Sequence, residues 1–284
     1  MGLRIVLLFL LYSFSILGLE VKAMQFDDMN DTDPVVEEES GSFESASTES
    51  GLEVSNDDIR DLRKAFKEDL EPQIIAASSR ILGKNPNHLI ALNMLGIHYY
   101  RRNHTGLARM IFLRALNSHP KEPALHNNLG VVNLTEGDLR AAISEFKRSL
   151  EMKSDYVIGA TNLASIYLEY RDYSRALAPL SAGFKAVKSR VREGSEEAVG
   201  VANNLAVALA VQGQGEKARD IYEEIGRGNT RNITVLLNYA ILLTERLKAK
   251  EDALKVISKI KFVADDPKAI RRAEELEKQI RSNN

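Results

Sequence analysis

The feature that most constrains this chain is an internal repeat with a period of about 34 residues, which lies in the range of stacked helical repeats. An Asn-Leu-Gly or Asn-Leu-Ala triplet recurs at residues 128–130, 162–164 and 204–206, and a variant with Tyr in place of Leu stands at 238–240. The first and last intervals are equal, and the middle one is longer. In such arrays each unit buries its apolar face only against its neighbours. The sequence therefore predicts an array of helical hairpins.

The unit that begins at Leu89 carries the pattern in full. Its small and large apolar residues recur at helical spacing, as Leu92, Leu95, Gly96 and Tyr99 in a first helix, Ala108, Phe112 and Ala115 in a second, and Pro120 after it. This pattern resembles the tetratricopeptide repeat, over roughly residues 57–281. The resemblance implies an all-α fold: a right-handed superhelix, or α-solenoid, of five to six helix pairs with a C-terminal capping helix. It also implies a concave groove lined by the first helix of each pair.

The sequence divides into five predicted parts. Residues 1–23 form a signal peptide, and residues 24–55 form an acidic disordered tether. A degenerate repeat follows at 56–88, the repeat array at 89–266, and a charged capping helix at 267–284. Terminal units of such arrays need a polar outer face, which the last segment supplies.

The N-terminal segment 1–23 has the pattern of a secretory signal. Arg4 supplies a positive charge, residues 5–19 are apolar, and the small residues Val21 and Ala23 stand where a signal peptidase reads the chain. The apolar run is shorter than the ~20 residues of a membrane span. We therefore predict cleavage after Ala23, no membrane span in the mature chain, and export to the periplasm or the medium. An uncleaved membrane anchor is the alternative.

Charge is distributed unevenly along the chain. Residues 24–55 contain ten acidic residues, and no Lys or Arg occurs from Ala23 to Ile59. Such a composition cannot offset the entropy of ordering. Residues 56–284 contain 36 Lys and Arg against 29 Asp and Glu, so the repeat array is mildly basic. The absence of cysteine excludes disulfides and thiolate metal sites.

A series of amide side chains is the candidate partner-binding site. The groove candidates are Tyr100, Asn127, Asn128, Asn162, Asn203, Asn204 and Asn238. Four of the six asparagines occupy one repeat position, and on the family's geometry this position borders the groove. The series resembles the asparagine ladder of peptide-binding helical solenoids. An amide can pair with both N–H and C=O of an extended peptide. The alternative is that these amides bond only within the solenoid or to water.

A basic segment follows the third repeat, where eight extra residues interrupt the period. Residues 173–192 contain no acid, and they predict a long second helix that ends in a basic patch, Lys185, Lys188, Arg190 and Arg192. The patch is either a solvated helix end or a surface for an acidic partner.

The sequence contains no motif of an enzyme. It has no P-loop, no His-Glu-x-x-His and no Gly-x-Ser-x-Gly. We predict a non-enzymatic scaffold without cofactor or metal, which binds another protein of the cell envelope and no nucleic acid. The envelope machine would be of pilus, secretion or motility type. The alternative is a regulatory subunit of an enzyme complex, whose acidic tether competes for its own groove; self-association stays open.

Overall fold

The computed structural model describes residues 53–228 and 230–282. The predicted signal peptide at 1–23 lies outside these residues, as does the predicted tether except for residues 53–55. The helices are α1 (Asn56–Lys67), α2 (Glu71–Lys84), α3 (Leu89–Arg101), α4 (Thr105–Ser118), α5 (Pro123–Thr135), α6 (Leu139–Met152), α7 (Val157–Glu169), α8 (Tyr173–Arg192), α9 (Glu196–Val211), α10 (Gly215–Arg227), α11 (Ile233–Ile241), a π-helix (Leu242–Arg246), α12 (Lys250–Val263) and α13 (Pro267–Ser282).

The described chain is all-helical, and helices α1–α12 form six consecutive pairs. The chain divides into two compact units after Met152. The first unit contains α1–α6, and the second contains α7–α13. Within each unit the closest packing joins helices that follow each other in sequence. This consecutive packing is typical of an α-solenoid and confirms the predicted fold class.

Each helix pair turns through one residue with a left-handed backbone. These residues are Asp69, Asn103, Gly137, Arg171, Gly213 and Lys248, with φ between 53° and 85°. The left-handed region is strained for a side chain with Cβ and free of strain for glycine. One such residue in every pair ends the first helix and starts the second two residues later.

Close helix packing depends on glycine opposite phenylalanine. A Cβ at Gly96 would lie 2.5 Å from the Phe112 ring, and a Cβ at Gly130 would lie 2.7 Å from the Phe146 ring. Both rings are fully buried. The small residue lets the first helix approach the second, and the ring fills the space beside it.

Two departures from the regular repeat occur in the second unit. Helix α8 has 20 residues, which confirms the long second helix that the sequence predicts. Pro179 lies inside this helix and does not end it. Ser195 stands at the N-cap of α9, but its side chain makes no capping hydrogen bond. The last pair has one residue more than the others before its turn at Lys248, and the π-helix Leu242–Arg246 accommodates this residue.

The last helix closes the second unit with one apolar face. Its buried residues are Ala269, Ala273, Leu276 and Ile280, whose spacing places them on one side of the helix. They join the apolar core formed by α11 and α12. The remaining face of α13 is charged, which suits a terminal helix.

A buried carboxylate fastens the start of the first unit. Asp58 in α1 accepts hydrogen bonds from Lys84 at 2.7 Å and from the Ser55 hydroxyl at 2.9 Å, and Arg80 contacts its other oxygen at 2.6 Å. The Lys84 and Ser55 bonds, more than Arg80, hold the pKa of Asp58 well below its usual range. The first helix is thus tied to the end of the second.

We expect Asp58 to make stability depend on pH. Its folded pKa is depressed, so it contributes stability above its unfolded pKa, about 3.9, and this contribution is lost as the pH falls toward the folded value. The free energy of unfolding, measured by urea titration between pH 2 and 6, should fall more steeply in the parent than in Asp58→Asn. Asp57→Asn, at an exposed neighbour, is the control. Identical slopes in the parent and Asp58→Asn would contradict this assignment.

Candidate partner-binding site

The asparagines of the first unit form a buried row of amides. Asn128 Nδ2 donates to Asn93 Oδ1 at 2.8 Å, and Asn127 Nδ2 donates to Asn128 Oδ1 at 3.3 Å. Asn93 lies on α3 and the other two lie on α5. All three are buried. The row therefore links the first helices of two successive pairs.

The same link recurs in the second unit. Asn238 Nδ2 on α11 donates to Asn203 Oδ1 on α9 at 3.1 Å. Both links join residues 35 apart. In each link the donor stands at the position of Asn128 in its repeat, and the acceptor stands one position earlier, that of Asn127, in the repeat before it. Asn203 is buried, whereas Asn238 is half-buried. A recurrent geometry of this kind satisfies amides that would otherwise be costly to bury.

Burial limits which of the predicted groove residues can reach a partner. Asn162 and Asn204 are also buried. The half-buried members of the predicted set are Tyr100 and Asn238. These two side chains are the ones that an incoming segment reaches most easily.

Tyr100 belongs to a second bond between first helices. Its hydroxyl lies 2.9 Å from Thr135 Oγ1, and Thr135 Oγ1 donates to the Val131 carbonyl at 3.0 Å. Since the threonine proton is used in that bond, the tyrosine donates to the threonine. The Tyr100 oxygen retains its lone pairs for a donor from outside.

The predicted basic patch is partly neutralised in the structure. Arg192 and Arg227 both pair with the buried Glu224 of α10, the second at 2.9 Å, and Arg190 lies 3.4 Å from Glu197. The hydrogen bond from Arg192 lowers the pKa of Glu224 below its ordinary value, and the same bond raises the pKa of Arg192. The long end of α8 is thereby fastened to α9 and α10.

Two lysines of the patch are exposed to solvent. Lys185 and Lys188 lie on the outer side of α8. Lys188 acts on Glu224 only through space, and Lys185 makes no ion pair with any residue the structure describes. The patch is therefore a smaller positive surface than its four residues indicate.

A cleft of about 450 Å³ opens between α8, α9 and α10. It is lined by Leu177, Ser181, Phe184, Leu205, Leu209, Gln214, Lys217, Asp220 and Ile221. The repeat pattern of the sequence did not predict this cleft. The available signal was the break in the repeat period before α9, because that break sets α8 apart from the other second helices.

Comparison with known proteins identifies the repeat. The profile of the tetratricopeptide repeat matches residues 93–157, and the helix pairs outside this range have the same turns and the same consecutive packing. The chain thus carries tetratricopeptide repeats (TPR), which residues 93–157 show by sequence and the other helix pairs share in fold. The TPR fold supports a role as a protein–protein interaction scaffold. No curated protein matches the sequence significantly.

Solved structures support the TPR fold at low sequence identity. YrrB, "a TPR protein with an unusual peptide-binding site", is 16% identical, with a TM-score of 0.56 over 70% of this chain and 98% of YrrB. Naa15/Naa10 bound to HypK-THB is 21% identical, with a TM-score of 0.51 over 80% of this chain and 34% of that one. Pseudomonas aeruginosa pilF is 22% identical, with a TM-score of 0.51 over 68% of this chain and 86% of pilF.

Two histidines of this TPR protein, His98 and His126, are buried. His126 Nδ1 lies 2.8 Å from Glu145 Oε2, and its Nε2 lies 3.0 Å from the Pro120 carbonyl. Burial lowers the pKa of His98, which favours its neutral ring. In the described ranges no cluster of His, Asp and Glu side chains could hold a metal ion. None of the described helices has the length and apolar character needed to cross a membrane.

Proposed function

We propose that this TPR protein is a non-enzymatic scaffold of the cell envelope. It holds an extended segment of another envelope protein along the first helices of its repeats, and it aids the assembly of a larger machine. The observation that carries this proposal is the recurrent amide link between first helices. In the second unit this link leaves the half-buried Asn238 with N–H and C=O groups beside the surface where a guest segment would lie, and in the first unit the half-buried Tyr100 lies on the same kind of helix.

The amides that link the helices keep spare hydrogen-bonding capacity. An asparagine side chain has two donor hydrogens and two acceptor lone pairs. Asn238 uses one hydrogen on Asn203 and is half-buried, so its other hydrogen and its oxygen are available to the backbone of a partner. Main-chain recognition of this kind tolerates many partner sequences. Tyr100 adds an acceptor of the same type in the first unit.

The envelope location is supported by the sequence. The signal-like residues 1–23 favour export, and a chain without cysteine does not depend on the redox state of its compartment. One of the fold neighbours, YrrB, is described as having a peptide-binding site, which supports an extended peptide as the guest. A pilus, secretion or motility apparatus remains the class of machine that we propose.

Co-purification of the full-length chain from its native host tests the proposal. Partners recovered with the parent are identified and quantified by mass spectrometry, and the mass of the recovered chain shows whether it begins at Met24. We expect one envelope protein to be enriched and its recovery to fall at least fivefold with Tyr100→Ala plus Asn238→Ala.

Phe262→Ala is the matched control, because Phe262 is 88% exposed and lies on a second helix. Thermal unfolding of each variant shows whether the array is intact. Equal recovery of the partner by parent, double variant and control would overturn binding along the first helices. Enrichment of cytosolic proteins alone would overturn the envelope assignment.

A further inference from the structure

An unusual apolar surface lies on the outer face of α4. Among the described residues seven large apolar side chains are exposed, and three of them are Leu107, Met110 and Leu113, at 46%, 67% and 49%. They are spaced three residues apart and therefore share one side of the helix. We call these three residues the α4 stripe.

The α4 stripe is not needed for the packing of the repeat. The opposite side of α4 supplies the core with Ala108, Phe112 and Ala115, all fully buried. The outer face of a surface helix is normally polar. A helix that is apolar on both sides indicates that its outer face is covered by another chain segment.

Neighbouring repeats show what this position normally carries. The residues 34 positions before the α4 stripe are Gln73, Ala76 and Ser79 on α2, and those 34 positions after it are Ala141, Ser144 and Lys147 on α6. These residues are polar or small. The apolar character is therefore a property of α4 alone in the first unit and not of the repeat.

The charge beside the α4 stripe is positive. Helix α4 contains Arg109 and Arg114 and no acidic residue. Arg109 pairs with Glu136, and Arg114 donates through Nη2 to the Pro86 carbonyl at 2.7 Å. The guanidinium of Arg114 has five N–H groups, so most of them remain for an acidic partner. The surface thus fits an occupant with both apolar and acidic side chains.

We propose that the α4 stripe binds the chain's own acidic segment, residues 24–52. This segment contains nine acidic residues and no Lys or Arg. Apolar residues are interleaved with the acids, namely Met24, Phe26, Met29, Val35, Val36, Phe43 and Leu52. The combination matches the α4 stripe and its arginines in both chemistry and sign.

The segment is attached close to the surface that it covers. The described chain begins at Glu53, and Ser55 and Asp58 are bonded to each other and, through Asp58, to Lys84 at the end of α2. Arg114 is bonded to Pro86, two residues further along. An extended chain spans about 3.3 Å per residue, so the segment 24–52 has ample reach. Covalent attachment also raises the local concentration of the segment.

A bound segment would regulate access to this face. A partner that uses the α4 stripe must displace residues 24–52, and it succeeds only with a better match of charge and apolar surface. The inference does not depend on the proposed function, because the α4 stripe lies on a second helix and the proposed guest lies along first helices.

Disulfide trapping in the full-length chain tests the proposal, since the chain has no cysteine of its own. One protein carries Ser42→Cys with Asn117→Cys, at an exposed position of α4; the reference carries Ser42→Cys with Ser258→Cys, at an exposed position of α12. We expect monomeric cross-linking at low salt to be about tenfold faster with the α4 cysteine, and the difference to shrink in 1 M salt.

Substitutions on the α4 stripe show whether the faster cross-linking depends on binding to the stripe or only on random collision of the two cysteines. Met110→Gln plus Leu113→Gln should remove the faster cross-linking, whereas the matched control Phe262→Gln should not. Equal rates for the two cysteine pairs, or a fast rate that survives the α4 substitutions, would overturn the proposal. Cross-linked dimers that increase with protein concentration would assign the α4 stripe to a second copy of the chain instead.

Discussion

Gly130→Ala is expected to destabilise the protein strongly, although it adds a single methyl group. The new Cβ would lie 2.7 Å and 2.8 Å from two atoms of the Phe146 ring. That ring is fully buried, so it cannot rotate into open space. Overpacking of a dense core costs typically about 1–3 kcal/mol, and urea titration of the free energy of unfolding measures it.

Gly200→Ala is the matched control for this substitution. Gly200 lies inside α9 with nothing within 4 Å of its prospective Cβ, so alanine there should stabilise the helix by roughly 0.5–1 kcal/mol. A second check is Phe146→Leu in the Gly130→Ala background. The smaller side chain should offset part of the loss, giving a favourable coupling between the two sites. Equal stability of the two alanine variants would show that the close approach at Gly130 is not needed.

The close approach at Gly130 was predictable because it depends on spacing within one hairpin. Gly and Phe recur at the same separation, at 96 and 112 and again at 130 and 146, and short turns leave only one way to pair the helices. The all-α solenoid and the buried face of α13 were predictable for the same reason. In each case a local pattern decides which side of a helix is buried.

The links between repeats were harder to predict because they depend on side-chain positions across two hairpins. From the sequence the asparagines were candidates for contact with a guest peptide, with bonds inside the solenoid as the alternative, and the structure shows bonds between them. Asn93 was not predicted as a member of the row because the repeat that begins at Leu89 has Met94, and not asparagine, at the position of Asn128. A search for amides one position further apart than the repeat period would have found it. Whether a guest also contacts these amides stays a prediction.

The charge of the basic patch was overestimated from the sequence for a second reason. Its four positive residues are close in sequence, but the acids that neutralise two of them, Glu197 and Glu224, lie on α9 and α10. Local charge counts cannot include partners from other helices. The α4 stripe was missed for a related reason, because an apolar residue in a helix is normally assigned to the core.

Asn128→Leu should separate a structural role of the amide row from a binding role. Leucine has a similar volume but removes the donor that satisfies Asn93 Oδ1, and Asn93 is only 5% exposed. A buried acceptor left without its partner costs about 1–3 kcal/mol. We therefore expect the free energy of unfolding to fall by that amount, measured by urea titration.

Replacement of both partners should recover the part of this loss that comes from Asn93 Oδ1. In Asn93→Leu plus Asn128→Leu no Asn93 acceptor is left unpaired, although the buried Asn127 Nδ2 still loses Asn128 Oδ1 as its acceptor. The coupling in the double-mutant cycle should be at least about 1 kcal/mol. Asn238→Leu is the comparison within the chain, and it should cost a similar amount because it also leaves a buried acceptor, Asn203 Oδ1, without its partner. If Asn128→Leu left stability unchanged, the buried row would have no structural role, and the recurrence of the same amide link in both units would have to be explained by binding alone.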